Sequence, residues 1–381
     1  MTYPFLPYGR QCLDDDDIAA VTAVLRGDWL TQGPAVENFE RRLADRLQAA
    51  HAVACSSGTA ALHLAALALD LAPGDAVVVP SLTFLATANA IRHAGAEVAF
   101  ADVDAATGLM RAEHLEAALA RAERAGWRPR AVFPVHLTGQ TADMADIGRL
   151  AAERGLAVVE DACHALGAEY ADGRPVGDGR HPACFSFHPV KAIAAGEGGA
   201  VTTGDAALAE RLKRLRNHGM TRDAADPSRY AMAEPGFNYR LTDIQCALAA
   251  SQLSKLDRFL ARRRHLADLY DRMLAPLAPR VRPPARVSGR SGWHLYAARL
   301  DFPAIGRDRA AVMAGLRERG IGTQVHYIPV HTQPYYRERY GAPALPGAER
   351  YHAATLSLPL FPAMADADID RVVSALAGVI G

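Results

Sequence analysis

The apolar positions of this chain change period twice. Residues 13–25 open with four aspartates and continue as IAAVTAVL. Carboxylates in a first turn, followed by helically spaced apolar residues, predict a helix whose dipole they complement. Residues 34–50 predict a second helix with Pro34 in its first turn. From about Val53 short β-rich runs take over: HAVAC, DAVVVP, AEVAFADVD, PRAVFPVH, LAVVED and ACFSF. Helical stretches separate most of them, at 58–71, 83–94, 111–126 and 141–154. Apolar strands alternating with helices predict a buried, largely parallel sheet of α/β class. The segment GGAVTTGD then reads as a strand returning along that sheet.

The pattern changes again near residue 241. Residues 241–274 are rich in Ala, Leu and Arg and predict one extended helix joining two domains. A Pro-rich loop, LAPRVRPPARVSGRSG, follows. Beyond it lie strand-like WHLYAARLDF, a helix at 307–319, strand-like GTQVHYIPV and a closing helix near 365–379. The expected organisation is an N-terminal segment with a large domain over 1–255, and a smaller α+β domain over 256–381.

Composition narrows the function. The 381 residues are 50% hydrophobic and 22% charged with a formal net charge of zero, which argues against a nucleic-acid or anionic-membrane partner. No apolar run approaches the roughly 20 residues of a spanning helix. The start, MTYPFLPYGRQ, has neither the basic beginning nor the apolar core of a signal peptide. Five scattered cysteines without a C-x-x-C pair fit free thiols in a reducing cytoplasm better than disulfides or zinc.

Of 42 Lys+Arg residues only three are lysines, and Lys191 is the one set among apolar residues and glycines, in FSFHPVKAIAAGEGG. A lone lysine is most often a solvated surface charge. Lys213 and Lys255 have such charged helical surroundings. A desolvated lysine, unlike arginine, loses its proton and attacks an aldehyde. Upstream, Asp161 closes the apolar run LAVVED; it reads equally as a turn residue and as a carboxylate at a strand's C-terminal edge, where α/β sheets place ligand chemistry. Pyridoxal phosphate (PLP) needs a lysine for its aldehyde and a carboxylate for its ring nitrogen. In ACSSGTAALHLAAL a strand passes through Ser-Ser-Gly-Thr into a helix. That is a cap in most proteins, and also an anion site, with Gly58 permitting close approach and Thr59 and Ser186 offering hydroxyls. Phe84 follows a strand and is either core or a cover for a cofactor ring. GEGGAV is no dinucleotide fingerprint, because Val201 stands where the third glycine belongs. His326 and His331 are separated by Pro329 and make a poor metal pair, so no metal site is expected.

With these pieces in order, the chain resembles the sugar-nucleotide aminotransferases, a PLP-dependent family of fold type I. The likeness runs through GDWLTQGPAVENFE, SSGTAALHLA, TFLATANAI, PVHLTGQTADM, EDACHALGAEY, FSFHPVKAIAAGEGGAV, FNYRLTDIQCALAASQL and QVHYIPVHTQPYY. Within the family, PYGRQ, DWLTQGP, FSFHPVK, GFNYRLTDIQ and HYIPVHTQPYY look like the subgroup that aminates C4 in pseudaminic acid biosynthesis. The resemblance implies a large domain with a mostly parallel seven-stranded sheet and a smaller C-terminal α+β domain. It implies Lys191 as the cofactor-linked proton carrier, Asp161 on the ring nitrogen, His164 near the ring's phenolic oxygen and Phe84 over a ring face. Gly58, Thr59 and Ser186 match phosphate-binding positions, and Asn238 matches a residue reaching the neighbouring subunit, so a homodimer with shared sites is implied. Tyr8, Asp28, Trp29, Leu30, Thr31, Gln324, Val325, His326, Tyr327 and Ile328 match substrate-contacting segments, with Arg240 facing the nucleotide's phosphates. The implied reaction moves the amino group of L-glutamate, by way of pyridoxamine phosphate, to C4 of a UDP-linked 4-keto-6-deoxy-N-acetylhexosamine. The same chemistry on a GDP- or dTDP-linked sugar shares every cofactor motif. A non-catalytic PLP-binding regulator and a sugar dehydratase, which carries His at the lysine position, are the rivals. Cys55 and Cys163 stand where small or Ser-like residues are expected.

Overall fold

The structure is a computed structural model, and the residues it describes are 4–222, 226 and 228–381. Its centre is a sheet of seven strands: β1 His51–Cys55, β2 Asp75–Pro80, β3 Glu97–Ala101, β4 Arg128–Val132, β5 (Ala157–Val158 continued by Glu160–Asp161), β6 Ala183–Ser186 and β7 Gly199–Thr203. The spatial order is β3-β2-β4-β5-β6-β7-β1. The two halves of the sheet join at β5, where Asp161 accepts from His136 N at 3.1 Å and donates to Pro134 O at 2.9 Å. Only β7 runs antiparallel to its neighbours β1 and β6, so it is the returning strand that GGAVTTGD foretold.

Strand periodicity builds the core on both faces. Along β1, Val53 and Cys55 face the cluster formed with helices Gly58–Leu67, Leu85–His93 and Ala112–Arg124. Ala52 and Ala54 face the other cluster, formed with helices Pro34–Leu47 and Asp243–Ser254. A third cluster surrounds strand Tyr296–Leu300 and helix Asp366–Ile380 and includes Leu6. Leu6 bridges Ile321, and Tyr8 O accepts from Leu360 N at 3.0 Å, so the N-terminal segment crosses to the C-terminal half and brings Tyr8 with it.

Three expectations are corrected. The single helix over 241–274 is two, Asp243–Ser254 and Leu256–Leu274, parted at Lys255. Lys255 is not a solvated charge: its side chain is 9% exposed and pairs with Asp14 and with Asp17 (2.9 Å) at the first turn of helix Asp15–Leu25. The break lets that lysine turn toward the two carboxylates. Strand-like GTQVHYIPV is an irregular segment with an isolated bridge at Gln324, preceded by another at Ile321. After Gln324 pairs with Ser357, Val330 N donates to Ser81 O at 2.8 Å, and Pro329 offers no donor to extend a ladder.

Candidate active site

The C-terminal ends of β1, β2, β5 and β6 lie at one edge of the sheet, where β7 begins. This edge holds a cavity of about 560 Å³. It is lined by twelve of the residues singled out from sequence: Tyr8, Gly58, Thr59, Phe84, Asp161, His164, Ser186, Lys191, Gln324, Val325, His326 and Tyr327.

At its base, helix Gly58–Leu67 starts from Ser57, whose Oγ accepts from Ala60 N at 3.1 Å. That leaves the first amides of the helix for a ligand. A Cβ at residue 58 would stand 2.8 Å from Ser186 Cβ and 3.1 Å from Cys163 Sγ. A Cβ at 199 would collide with the Ser57 carbonyl, so Gly199 lets β7 pass directly under the helix start. Gly196 meets nothing nearby and instead uses φ +78° to turn the loop after Lys191.

Asp161 is 5% exposed and fixed at both oxygens, Oδ2 by Thr87 Oγ1 at 2.7 Å and Oδ1 by Cys163 N at 3.1 Å. Thr87, one helical turn beyond Thr83 in TFLATANA, holds Thr83 Oγ1 at 2.8 Å. Its role escaped sequence reading because a threonine there looks like helix filling. Lys191 sits in a turn closed by its own N–H on His188 O at 2.8 Å. Burial lowers its amine below the usual lysine range, and the nearby Cys163 and Asp161 partly oppose this. His164, His294 and His326 are all lowered, first by burial; proximity to Lys191 comes next for His164 and His326, and proximity to His164 and then Lys191 for His294, while His326 falls to about 3. The lysine is thus surrounded by neutral imidazoles, which stay uncharged where a free histidine titrates.

His164 Nε2 is 3.0 Å from Tyr327 Oη, and His326 Nδ1 is 2.8 Å from Ser357 Oγ. His331 turns elsewhere, with Nδ1 2.6 Å from Ser81 Oγ. Phe84 is 54% exposed, with its ring centroid 5.7 Å from Tyr327, so it borders the cavity and is no core residue. Cys163 lines the cavity with its thiol raised well above the ordinary value by burial, while Cys55 is buried and turned to Ser57 O at 3.4 Å.

Seven residues singled out from sequence lie away from this lining. Leu30 O accepts from Asp243 N at 3.0 Å and Thr31 bridges Thr242. Asn238 bridges Asn217, whose Oδ1 accepts from Arg240 Nη1 at 2.7 Å. Asp28 is exposed with Trp29 and Leu30, and Ile328 is half exposed. The segments around 28–31 and 238–242 therefore adjoin one another on the surface.

The carboxylate, amine, helix start and hydroxyls fit PLP: the residues suited to its ring nitrogen, aldehyde and phosphate share one cavity. No helix among the described residues is long and apolar enough to cross a membrane. The chain is similar along 99% of both lengths to Helicobacter pylori PseC, described as an aminotransferase involved in the biosynthesis of pseudoaminic acid, at 30% identity and TM-score 0.91. It is 36% identical to S. venezuelae DesV, solved with a ketimine intermediate, with TM-score 0.87 and 99% of each chain covered. The sugar aminotransferase Spr1654 of Streptococcus pneumoniae, solved in PMP and PLP forms, is 27–28% identical, with TM-scores of 0.90 and 0.89 and at least 98% of each chain covered. The profile of the DegT/DnrJ/EryC1/StrS aminotransferase family matches residues 11–377, and the chain belongs to that family.

Proposed function

We propose that this protein is a PLP-dependent aminotransferase that moves the amino group of L-glutamate to C4 of a UDP-linked 4-keto-6-deoxy-N-acetylhexosamine, in the pathway to pseudaminic acid. The observation that carries the amino-transfer reading is the amine of Lys191, lowered below the usual lysine range by desolvation, in one cavity with the doubly anchored carboxylate of Asp161. The sugar assignment draws its support from the substrate segments and from the likeness to PseC.

PLP, when bound, supplies an electron sink that makes the α-proton of an amino acid removable. The protein's residues do the rest. Asp161, unable to turn because Thr87 and Cys163 hold it, keeps a proton on the ring nitrogen. The first amides of helix Gly58–Leu67, with Thr59 and Ser186, hold the phosphate. Lys191, whose amine burial lowers, would hold the cofactor's aldehyde and serve as the base that takes and returns the donor's α-proton. Glutamate leaves as 2-oxoglutarate, and the keto sugar accepts the nitrogen by the reverse transfers. The exposed surface of Trp29 and Leu30 beside Asn238 and Arg240 fits a homodimer in which these residues complete the partner's cavity.

The chain is more similar in sequence to DesV (36% identity) than to PseC (30%), so a second reading stands beside the first: the same C4 transfer on a GDP- or dTDP-linked 4-keto sugar. The experiment is direct: incubate the protein with L-glutamate and, separately, UDP-, GDP- and dTDP-4-keto-6-deoxy sugars, and identify products by mass spectrometry and NMR. A 4-amino sugar from the UDP-N-acetyl substrate is expected. Product with another nucleotide alone replaces the sugar assignment, and no amino sugar from any of them removes the function.

A further inference from the structure

The Pro-rich loop LAPRVRPPARVSGRSG, a linker by sequence, closes a second cavity of about 160 Å³ against helix Leu256–Leu274 and residues Gln140 and Thr141. The cavity shares no lining residue with the one around Lys191. Its charged lining is Arg264, Arg286, Arg290 and Asp268. Two of the arginines already hold carboxylates. Arg286 pairs with Asp268 at 3.0 Å and with Asp271, and Arg290 pairs with Glu169 at 3.1 Å.

Arg264 holds nothing. Its Nε is sealed from solvent without a partner, and its guanidinium makes no ion pair or hydrogen bond among the described residues. The carboxylates whose charge it feels are Glu169 and Asp257, and these are taken by Arg290 and Arg46. Burial and then the charge of Arg290 lower the guanidinium below its usual value, against the weaker pull of those two carboxylates. Arginine keeps its proton even so, which leaves one cation in excess beside this cavity.

The walls are fixed in advance. The Gln140 side chain holds the loop at both ends of its amide, Nε2 donating to Ala285 O at 2.9 Å and Oε1 accepting from Val287 N at 3.0 Å. Glu169 and Arg290 exchange two backbone hydrogen bonds of 2.9 Å. Gly289, at φ +96°, lets the loop reverse where a Cβ would stand 2.6 Å from Glu169 O. Thr141, 8% exposed, lines the cavity with a hydroxyl that makes no hydrogen bond. Sites that enclose drug-sized ligands run to about 300–1,000 Å³, so this one suits a single small group. A guanidinium fork and a hydroxyl match the oxygens of a phosphate.

We infer that this cavity binds a phosphate group, held by Arg264 with the Thr141 hydroxyl, at a site distinct from the cofactor cavity. The group ties helix Leu256–Leu274 to the loop that leads into strand Tyr296–Leu300 and to residues 140–141. Free phosphate and the phosphate end of a nucleotide share this chemistry.

The test is calorimetric titration of the PLP-loaded protein with inorganic phosphate, at constant ionic strength kept with chloride. PLP fills the cradle at Gly58, so that site adds no heat. Wild type should bind saturably and Arg264→Gln about 10- to 100-fold more weakly, the scale of a lost hydrogen bond between charged groups. The substitution breaks no contact, so the variant should unfold in chloride at no lower denaturant concentration than wild type. Added phosphate should raise the midpoint of wild type and leave that of the variant. UDP separates the sources: a UDP affinity that falls in the variant assigns the end of a nucleotide, and one that does not assigns free phosphate. Phosphate binding that Arg264→Gln leaves unchanged, or no heat beyond that of chloride, overturns the site.

Discussion

Gly58→Ala is a one-carbon perturbation at the helix start beneath the cavity. The new Cβ lies 2.8 Å from Ser186 Cβ. Carbon atoms settle at about 3.5–4.0 Å, so the pair must separate by roughly 0.7 Å or more. Ser186 cannot retreat easily, because β6 pairs there with Gly199, itself pressed against the Ser57 carbonyl. The helix start must move instead. Overpacking of this kind costs about 1–3 kcal/mol, offset by at most about 1 kcal/mol of helix propensity. Loss of one amide bond to a phosphate removes about 1.5–3 kcal/mol more from cofactor binding, roughly a 10- to 100-fold rise in Kd. Denaturant unfolding of the cofactor-free protein reads the first effect, and fluorescence titration with PLP the second. A double-mutant cycle with Ser186→Gly, which removes the atom being struck, should show a favourable coupling in the unfolding data. A stable Gly58→Ala protein with undiminished PLP affinity would refute the cradle as described.

Three further outcomes are expected. Asp161→Asn should keep the fold, since Asn Oδ1 still accepts from the Cys163 amide and its Nδ2 can donate to Thr87 Oγ1, yet lower kcat by about 10²-fold or more in steady-state assays, the scale set by a lost proton-holding group. Lys255→Met should cost about 3 kcal/mol in denaturant unfolding, because Asp17, 1% exposed, is left without its cation. Acid should weaken the fold through His326. Its folded value of about 3 lies below the unfolded value of about 6.5, so between these pH values the unfolded chain binds the extra proton and stability falls as pH falls, by up to about 1.4 kcal/mol per unit. His326→Gln should flatten that slope in unfolding measured from pH 6.5 to 4.

What the sequence made legible was whatever repeats a period or ends a strand. The run DAVVVP is β2 residue for residue, and Asp161, Lys191 and Gly58 share one cavity because each follows or approaches the same edge of the sheet. Features set by long-range partners were not legible. The partners of Lys255 at the helix break are carboxylates more than 230 positions away. The irregular course of residues 321–330 depends on Ser81 and Ser357, which override a β-like composition. Thr87 and Thr138 carry no distinctive pattern, and their importance comes from the single side chain each one holds, Asp161 and His164. The segments at 28–31 and 238–242 matched by resemblance lie outside the cavity of their own chain, as residues serving a partner's cavity would.

The measurement that bears most directly on the central claim is a half-reaction followed by absorbance. The PLP-loaded protein is mixed with L-glutamate, freed of amino acid, and then given each 4-keto sugar nucleotide in turn. Amino transfer through Lys191 predicts that the visible band bleaches with glutamate, that 2-oxoglutarate appears in equal amount, and that the band returns with the UDP-N-acetyl sugar. A band that never forms, or that glutamate leaves untouched, would contradict the account.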